Sequence, residues 1–470
     1  MASPDLNVDS DGTGDALHTF LVNDWLPDEV WRATPPTGEA MWAGRRSRLS
    51  DRLPGLALVI PCGGESIRVN DTTHHFRPAS DFTYLLGPGR PDDVLVLFPE
   101  TAGHRACLYT REGTEWGRWD TFADRQNGAV WVGPRPSLQE MSSGLGLDVL
   151  PLHRLEADLR SCRTPAVIRG VDATVDATLA PRAGDDGALA AAVAELRLVK
   201  DPSEQEAIRA AVAVTIAAFR EVVRNLRPGV TERDIEVDFD AAARRRGNGT
   251  GYSTIVAAGR HATVRHWIGT RYRLRADDLV LIDAGVEVDS LYTADITRTL
   301  PVSGRFTVAQ RAIYEVVAAA QSAAIDAARP GLPFSAMHTV ATRLLAEGLV
   351  NLGLVKESAE ALCDPANPRY RRYCGQRVSH MLGLDVHDCS AARPEAYAHG
   401  RLASGMVMTV EPGIYFLPGD GSVPAEFRGI GVRIEDDILI TAAGCDVLSS
   451  ELPAGAEEVE AWVRSAADPG

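Results

Sequence analysis

An acid at the end of an unbroken apolar strand is the feature that most constrains this chain. Leu279-Val280-Leu281-Ile282 reads as a buried β-strand, and it runs directly into Asp283-Ala284-Gly285. A second acid, Asp295, lies within Tyr292-Thr293-Ala294-Asp295-Ile296-Thr297-Arg298-Thr299, whose β-branched residues favour a strand. Gly285 and Asp289-Ser290 between them supply turn residues, so the two strands are expected to fold back as a hairpin. A buried carboxylate costs several kcal/mol unless it is paired or bound to metal. Two carboxylates brought together would repel, and a divalent cation relieves that repulsion. The alternative is that Asp283 caps a turn while Asp295 is exposed and pairs with Arg298. This stretch alone leaves both readings open.

The 470-residue length favours two or three domains. A formal net charge of −16 argues against a nucleic-acid partner or an anionic membrane surface, since both call for a basic face. The seven cysteines are dispersed without a CxxC spacing, which reads as reduced thiols in a cytoplasmic protein. The N-terminal residues lack an apolar core of signal-peptide character. No apolar run approaches the ~20 residues of a membrane span.

Residues 1–40 read as an arm carrying Phe20, Trp25 and Trp31 that packs on another surface. Met41 to Leu53 is an amphipathic helix candidate, followed by strand candidates at Gly55 to Pro61, Val94 to Pro99 and Ala106 to Thr110. Strands alternating with helices indicate an α/β domain over residues 1–197. It contains no glycine loop of the kind that cradles phosphate. Arg182 to Ala192 reads as linker or helix lead-in. Asp201-Pro202-Ser203-Glu204 then has the pattern of a capped helix start, and Arg227-Pro228-Gly229 marks its stop. Further helices are expected from Thr231 and over Val308 to Ala328. Helices set against acid-bearing strands make residues 198–470 an α+β domain.

Other acids and histidines share this setting. Glu411 follows Val407-Met408-Thr409-Val410, and Glu435 stands two residues beyond Arg433 in Gly431-Val432-Arg433-Ile434-Glu435, so the two share a face if the strand continues. Each has a plain structural reading. Glu411 before Pro412 could be a turn residue, Arg433 and Glu435 an ion pair, and His266 a hydrogen-bonded core histidine. Taken together, Asp283, Asp295, Glu411 and Glu435 would balance two divalent cations. With His380 the donor set is oxygen-rich with one imidazole, which favours Mn²⁺ or a similar ion over a thiolate-type zinc site.

DAG, DITRT, SHMLGLDVHD, TVEPGIY and RGIGVRIEDD occur in that order. They resemble the motifs of aminopeptidase P and prolidase, the proline-specific pita-bread metallopeptidases. LRLVKDPSEQEAIR resembles the helix that opens their catalytic domain, and Phe76 to Gly87 resembles part of the aminopeptidase P N-terminal domain. The resemblance spans about residues 41 to 445. It implies an α+β protein with a C-terminal pita-bread domain behind a smaller α/β domain. The implied activity is release of the N-terminal residue from peptides with proline in second position, by a hydroxide held between two metal ions. By motif, Asp283 would bind one ion, His380 and Glu411 the other, and Asp295 and Glu435 would bridge them. Glu411 would also carry the proton. His266 and His387 would hold substrate and stabilise the oxyanion, with Arg433 orienting Glu435 or Tyr415 behind them. The family commonly forms dimers or tetramers.

The spacing between the first two acids is one residue longer than is typical, an insertion expected in the hairpin turn. Gln376 stands where the family often has histidine, which affects an outer substrate contact. The runner-up activity is that of prolidase, restricted to Xaa-Pro dipeptides. Non-catalytic pita-bread proteins and metal-free amidinohydrolases lose metal ligands, and this chain keeps all five.

Overall fold

The apolar runs near the start of the chain build a five-stranded mixed sheet. The computed structural model describes residues 14–25, 34, 36–114, 116–162 and 164–467. A short helix, α1 (Gly14–Val22), precedes α2 (Ala40–Arg52). The strands are β1 (Ala57–Pro61), β2 (Val94–Pro99), β3 (His104–Thr110), β4 (Asp148–Pro151) and β5 (Pro165–Val167). They lie in the order β4-β3-β2-β1-β5, with β1/β5 and β3/β4 parallel and the inner pairs antiparallel. Val59, Val96, Tyr109 and Val167 share the buried cluster on this sheet. Trp25 stacks on Trp116 at 5.0 Å between ring centroids and also meets Phe122, while Phe20 is exposed. Trp31 lies outside the described residues.

The chain divides into two compact units between Leu196 and Arg197. Of the two readings of the stretch from Arg182, linker or helix lead-in, the structure shows helix, α3 (Ala183–Arg197). Its alanine-rich sequence has the highest intrinsic helix propensity, and Asp185 and Asp186 occupy the favourable first turn.

The second unit begins with α4 (Pro202–Asn225), capped by Asp201 in a full capping box with Glu204. Glu204 also accepts a hydrogen bond from the Tyr292 hydroxyl at 2.9 Å, so the cap secures the turn of the acid hairpin as well. Next come α5 (Glu232–Arg246), β6 (Ile255–Ala258), β7 (Leu279–Ala284), β8 (Ile296–Pro301) and α6 (Val308–Ala327). The expected hairpin is present: β7 pairs antiparallel with β8, placing Asp283 opposite Thr297, and with β6, placing Asp283 opposite Ile255. Every residue of β7 and β8 is buried.

Further along come β9 (Val407–Val410), β10 (Gly413–Tyr415), β11 (Gly431–Arg433) and β12 (Asp436–Ile440). β9 pairs with β12 and β10 with β11, all antiparallel. The segment before β9 extends this sheet. Leu382 donates to the Val407 carbonyl, Thr409 to that of His380, and Glu411 to that of Val378. This ladder brings the SHMLGLDVHD and TVEPGIY motifs side by side.

A buried ion cluster ties the loop after His380 to the start of the unit. Asp388 accepts from Lys200 Nζ at 2.6 Å and from Arg197, and Lys200 Nζ also donates to the Arg197 carbonyl at 2.6 Å. Burial alone would raise the Asp388 pKa, but the two cations hold it well below the usual carboxylate range. Removing the shared anion leaves both cations buried without it, whereas removing Lys200 leaves Arg197 in place. Asp388→Asn should therefore cost roughly 3–5 kcal/mol in urea unfolding, and Lys200→Met less. An unchanged midpoint for Asp388→Asn would contradict this anchoring role.

Candidate metal centre

The hairpin, the β9 ladder and the segment after β11 deliver their acids to one place. Asp295, Thr297 and Thr299 alternate along the hairpin and share one side. Thr299 exchanges hydrogen bonds with the backbone of Arg433, and the Thr297 hydroxyl donates to Glu435 Oε2 at 2.6 Å. Glu435 N–H in turn donates to the Thr297 carbonyl. The strand carrying Arg433 ends before Glu435, yet both side chains contact Thr297. Arg298 lies on the opposite side and pairs with Asp436 at 2.6 Å, not with Asp295. Two glycines allow close approach at the site. A Cβ at Gly285 would sit 1.7 Å from the Ala294 carbonyl oxygen, and one at Gly413 would meet Tyr415 Oη at 2.6 Å.

Donor atoms of Asp295, His380 and Glu435 lie within 4.8 Å of one another. His380 Nε2 is 3.4 Å from Asp295 Oδ2 and 3.3 Å from Glu411 Oε1. His380 Nδ1 faces the Met381 carbonyl at 3.2 Å; with a proton placed there, Nε2 is the nitrogen turned to the acids, protonated in the metal-free cluster and the one that would give up its proton to ligate an ion. Asp283 joins through Tyr252, whose hydroxyl is 2.7 Å from Asp283 Oδ1 and 2.5 Å from Asp295 Oδ1. Thus the structure brings together Asp283, Asp295, His380, Glu411 and Glu435.

The electrostatics show what this cluster lacks. Glu435 is 1% exposed, Asp295 5% and Asp283 8%. Burial, then the charges of Asp295, Glu411 and Asp283, push the Glu435 pKa well above its usual value. Burial raises Asp283 as well, against the pull of Arg433. Glu411 is pushed up to about 7, chiefly by burial, although His380 and Arg433 oppose the shift. Burial disfavours a charged His380, but Asp295 and Glu411 outweigh it and lift the group to about 9. The cluster holds more negative charge than the protein's own cations neutralise. Four carboxylates and one neutral imidazole are a donor set suited to divalent cations, so these residues fit the metal ions that the sequence motifs imply.

The cluster forms the floor of a cavity of about 790 Å³. His266 lines it as an exposed residue, which rules out the core-histidine reading. His387 lines it too, edge-on to His380 at 4.5 Å between ring centroids. Burial and the neighbouring His380 lower the His387 pKa, so this imidazole is neutral at neutral pH. Arg433 Nη1 donates to the Tyr415 hydroxyl at 3.0 Å, Nη2 pairs with Asp283, and Nε reaches Thr297 at 3.1 Å. It therefore orients Tyr415 and Asp283 directly and Glu435 through Thr297. Tyr252 and Thr297 were not singled out from the sequence. Nor was Asp437, a buried acid whose Oδ2 accepts from Asp295 N–H at 3.0 Å.

Comparison with known proteins now identifies the family. The model of metallopeptidase family M24 matches residues 206–442, and that of the aminopeptidase P N-terminal domain matches residues 42–166. The chain belongs to metallopeptidase family M24, in its aminopeptidase P branch. It is 43% identical over 459 residues to Xaa-Pro aminopeptidase 1 of Streptomyces coelicolor, covering 97% of this chain and 93% of that relative. Aminopeptidase PepP of Pseudomonas aeruginosa superposes with a TM-score of 0.81 at 31% identity, over 92% of this chain and 99% of that one. Escherichia coli aminopeptidase P with the inhibitor Pro-Leu gives 0.81 at 30% identity, over the same shares. The α+β architecture, with a pita-bread domain following the N-terminal one, is the family's.

A raised carboxylate pKa predicts a pH-dependent instability of the metal-free protein. A group protonated near 7 when folded and near 4.3 when unfolded favours the folded state below that window, and this contribution is lost as pH rises through it. Without metal, Glu411→Gln should gain stability relative to the parent as pH rises from about 4.5 to 7, by roughly 3 kcal/mol at the upper bound. Urea unfolding at several pH values in chelator tests this, and a pH-independent difference would contradict it.

Proposed function

We propose that the protein is a metal-dependent Xaa-Pro aminopeptidase of the cytoplasm, releasing the N-terminal residue from peptides with proline in second position. The observation that carries this reading is a buried acid cluster with one imidazole at the floor of an open cavity, in a chain of the aminopeptidase P branch. In this reading residues 198–470 form the catalytic domain and residues 1–197 the N-terminal domain. Asp283, Asp295, His380, Glu411 and Glu435 would hold two divalent ions, with Mn²⁺ favoured by the oxygen-rich set. Asp283 would serve one ion and His380 and Glu411 the other, with Asp295 and Glu435 shared between them. When bound, such ions would balance the acids' charge, lower the pKa of water and polarise the scissile carbonyl.

The chain's own groups do the rest. Glu411 accepts a proton from the attacking water and passes it to the proline nitrogen as the C–N bond breaks. His387, a neutral imidazole on the exposed cavity wall, donates an N–H to the developing oxyanion. His266 on the exposed wall holds the substrate backbone, and Arg433 and Tyr415 keep the acids oriented. A proline nitrogen carries no N–H, so the site must recognise its ring by shape. The negative surface, with a net charge of −16, disfavours nucleic-acid partners. Among the described residues no helix is long and apolar enough to cross a membrane. Assembly as a homodimer or homotetramer is part of the proposal, and the exposed Phe20 on α1 offers an apolar contact for it.

The cavity reaches exposed Arg265, Ile268 and Arg377 at its rim, which favours a substrate chain that continues past proline. Xaa-Pro-Yaa peptides should therefore be cleaved with higher kcat/KM than Xaa-Pro, and Xaa-Ala-Yaa should be a poor substrate. Chelation should abolish turnover, and Mn²⁺ should restore it better than Mg²⁺. Cleavage of dipeptides alone would assign the prolidase activity instead. Full turnover without measurable metal would refute the metal-dependent reading.

A further inference from the structure

Gln376 stands at the middle of a polar chain that joins opposite ends of the acid cluster. Its amide nitrogen donates to the Glu411 carbonyl at 2.7 Å and to Glu411 Oε2 at 3.1 Å. Its amide oxygen accepts from the Tyr415 hydroxyl at 2.7 Å. Tyr415 Oη accepts from Arg433 Nη1, and Arg433 pairs with Asp283 through Nη2. The direction of this chain is set by Arg433, because a guanidinium has donors only. Tyr415 accepts from Arg433 and gives its single proton to Gln376, which leaves the amide N–H groups for Glu411. The orientation of the Gln376 amide follows from that sequence of donors.

An amide satisfies both neighbours at once. A carboxylate at this position would repel Glu411, and an apolar side chain would leave the Tyr415 proton and the Glu411 carbonyl without these partners. Tyr415 and Arg433 are buried, whereas Gln376 and Glu411 are half-buried where the cluster meets the cavity. The Glu411 side chain has three rotatable bonds, and the contacts to its main-chain carbonyl and Oε2 remove that freedom. Oε1 is left facing His380.

We propose that Gln376 is the positioning residue for Glu411, holding the proton-carrying carboxylate in its working rotamer through the Arg433–Tyr415–Gln376 chain. This rests on the role given to Glu411 above. The family that the motifs resemble often has histidine at this position. An imidazole in one tautomer can likewise accept from Tyr415 and donate to Glu411, so histidine is the substitution that preserves the device.

The test uses the Mn²⁺-loaded full chain and an Xaa-Pro-Yaa tripeptide, with kcat, KM and metal per chain measured for each variant. Gln376→Leu should lower kcat about 10–100-fold, with KM within twofold and metal content unchanged. Gln376→His should recover most of the lost kcat. Tyr415→Phe combined with Gln376→Leu should lower kcat little further than Gln376→Leu alone, because both cut the same chain. If Gln376→Leu does not fold, the comparison of Gln376→His with Gln376→Asn decides. Asparagine is one methylene too short to span Tyr415 and Glu411, so it should lose kcat where histidine keeps it. An unchanged kcat, a rise confined to KM, or additive losses in the double variant would overturn the proposal. Failure of the parent chain to cleave the tripeptide would refute the aminopeptidase reading instead, whatever residue stands at 376.

Discussion

Mutual repulsion among buried carboxylates is the constraint on which this site depends. Asp283, Asp295 and Glu435 are almost wholly buried, and Glu411 borders the cavity above them. The protein's own answer is partial. Arg433 offsets Asp283, the Tyr252 hydroxyl contacts two acids, and Thr297 donates to Glu435. Even so, Glu411, Asp283 and Glu435 are all displaced toward their neutral forms. A fold that concentrates acids while supplying so little compensating charge is completed by divalent cations, and that demand joins the architecture to its chemistry.

The strands around the cluster are organised for the same end. β7 is buried throughout and lies between β6 and β8, so Asp283 is held from both sides. Thr297 and Thr299 stitch the hairpin to the Arg433 segment through side chains, and the Glu435 N–H adds a backbone bond to the Thr297 carbonyl. On the opposite side of the hairpin, Arg298 is fully buried. It donates to Asp436 and to the carbonyls of Glu435, Leu452 and Pro453. One alternating stretch therefore supplies a side facing the acid cluster and a structural side.

Much of this was legible in the sequence because the signals were local. The apolar run ending in Asp283 gave a buried strand, and Asp201 with Glu204 gave a capped helix start; both are present. The grouping of the five donors, which come from segments far apart in the chain, rested on acids carried by apolar strands, and the ordered motifs then gave each donor its place. Tyr252 escaped notice because a tyrosine beside Gly251 and Ser253 carries no periodic signal; its role appears only when β6 is laid against β7. Arg298 illustrates the converse. Its nearness to Asp295 suggested an ion pair, but alternation along the strand sends the two side chains to opposite sides. The Ala183–Arg197 helix was obscured by its glycines and acids, which resemble linker composition although the alanines dominate the backbone preference.

The central claim is that the acid cluster is a two-ion centre. Anomalous diffraction from crystals of the Mn²⁺-loaded protein measures this most directly. The account predicts two peaks about 3.5–4 Å apart, one beside Asp283 and the other beside His380 and Glu411, with Asp295 and Glu435 touching both. A single peak, or ions bound away from these five side chains, would contradict it.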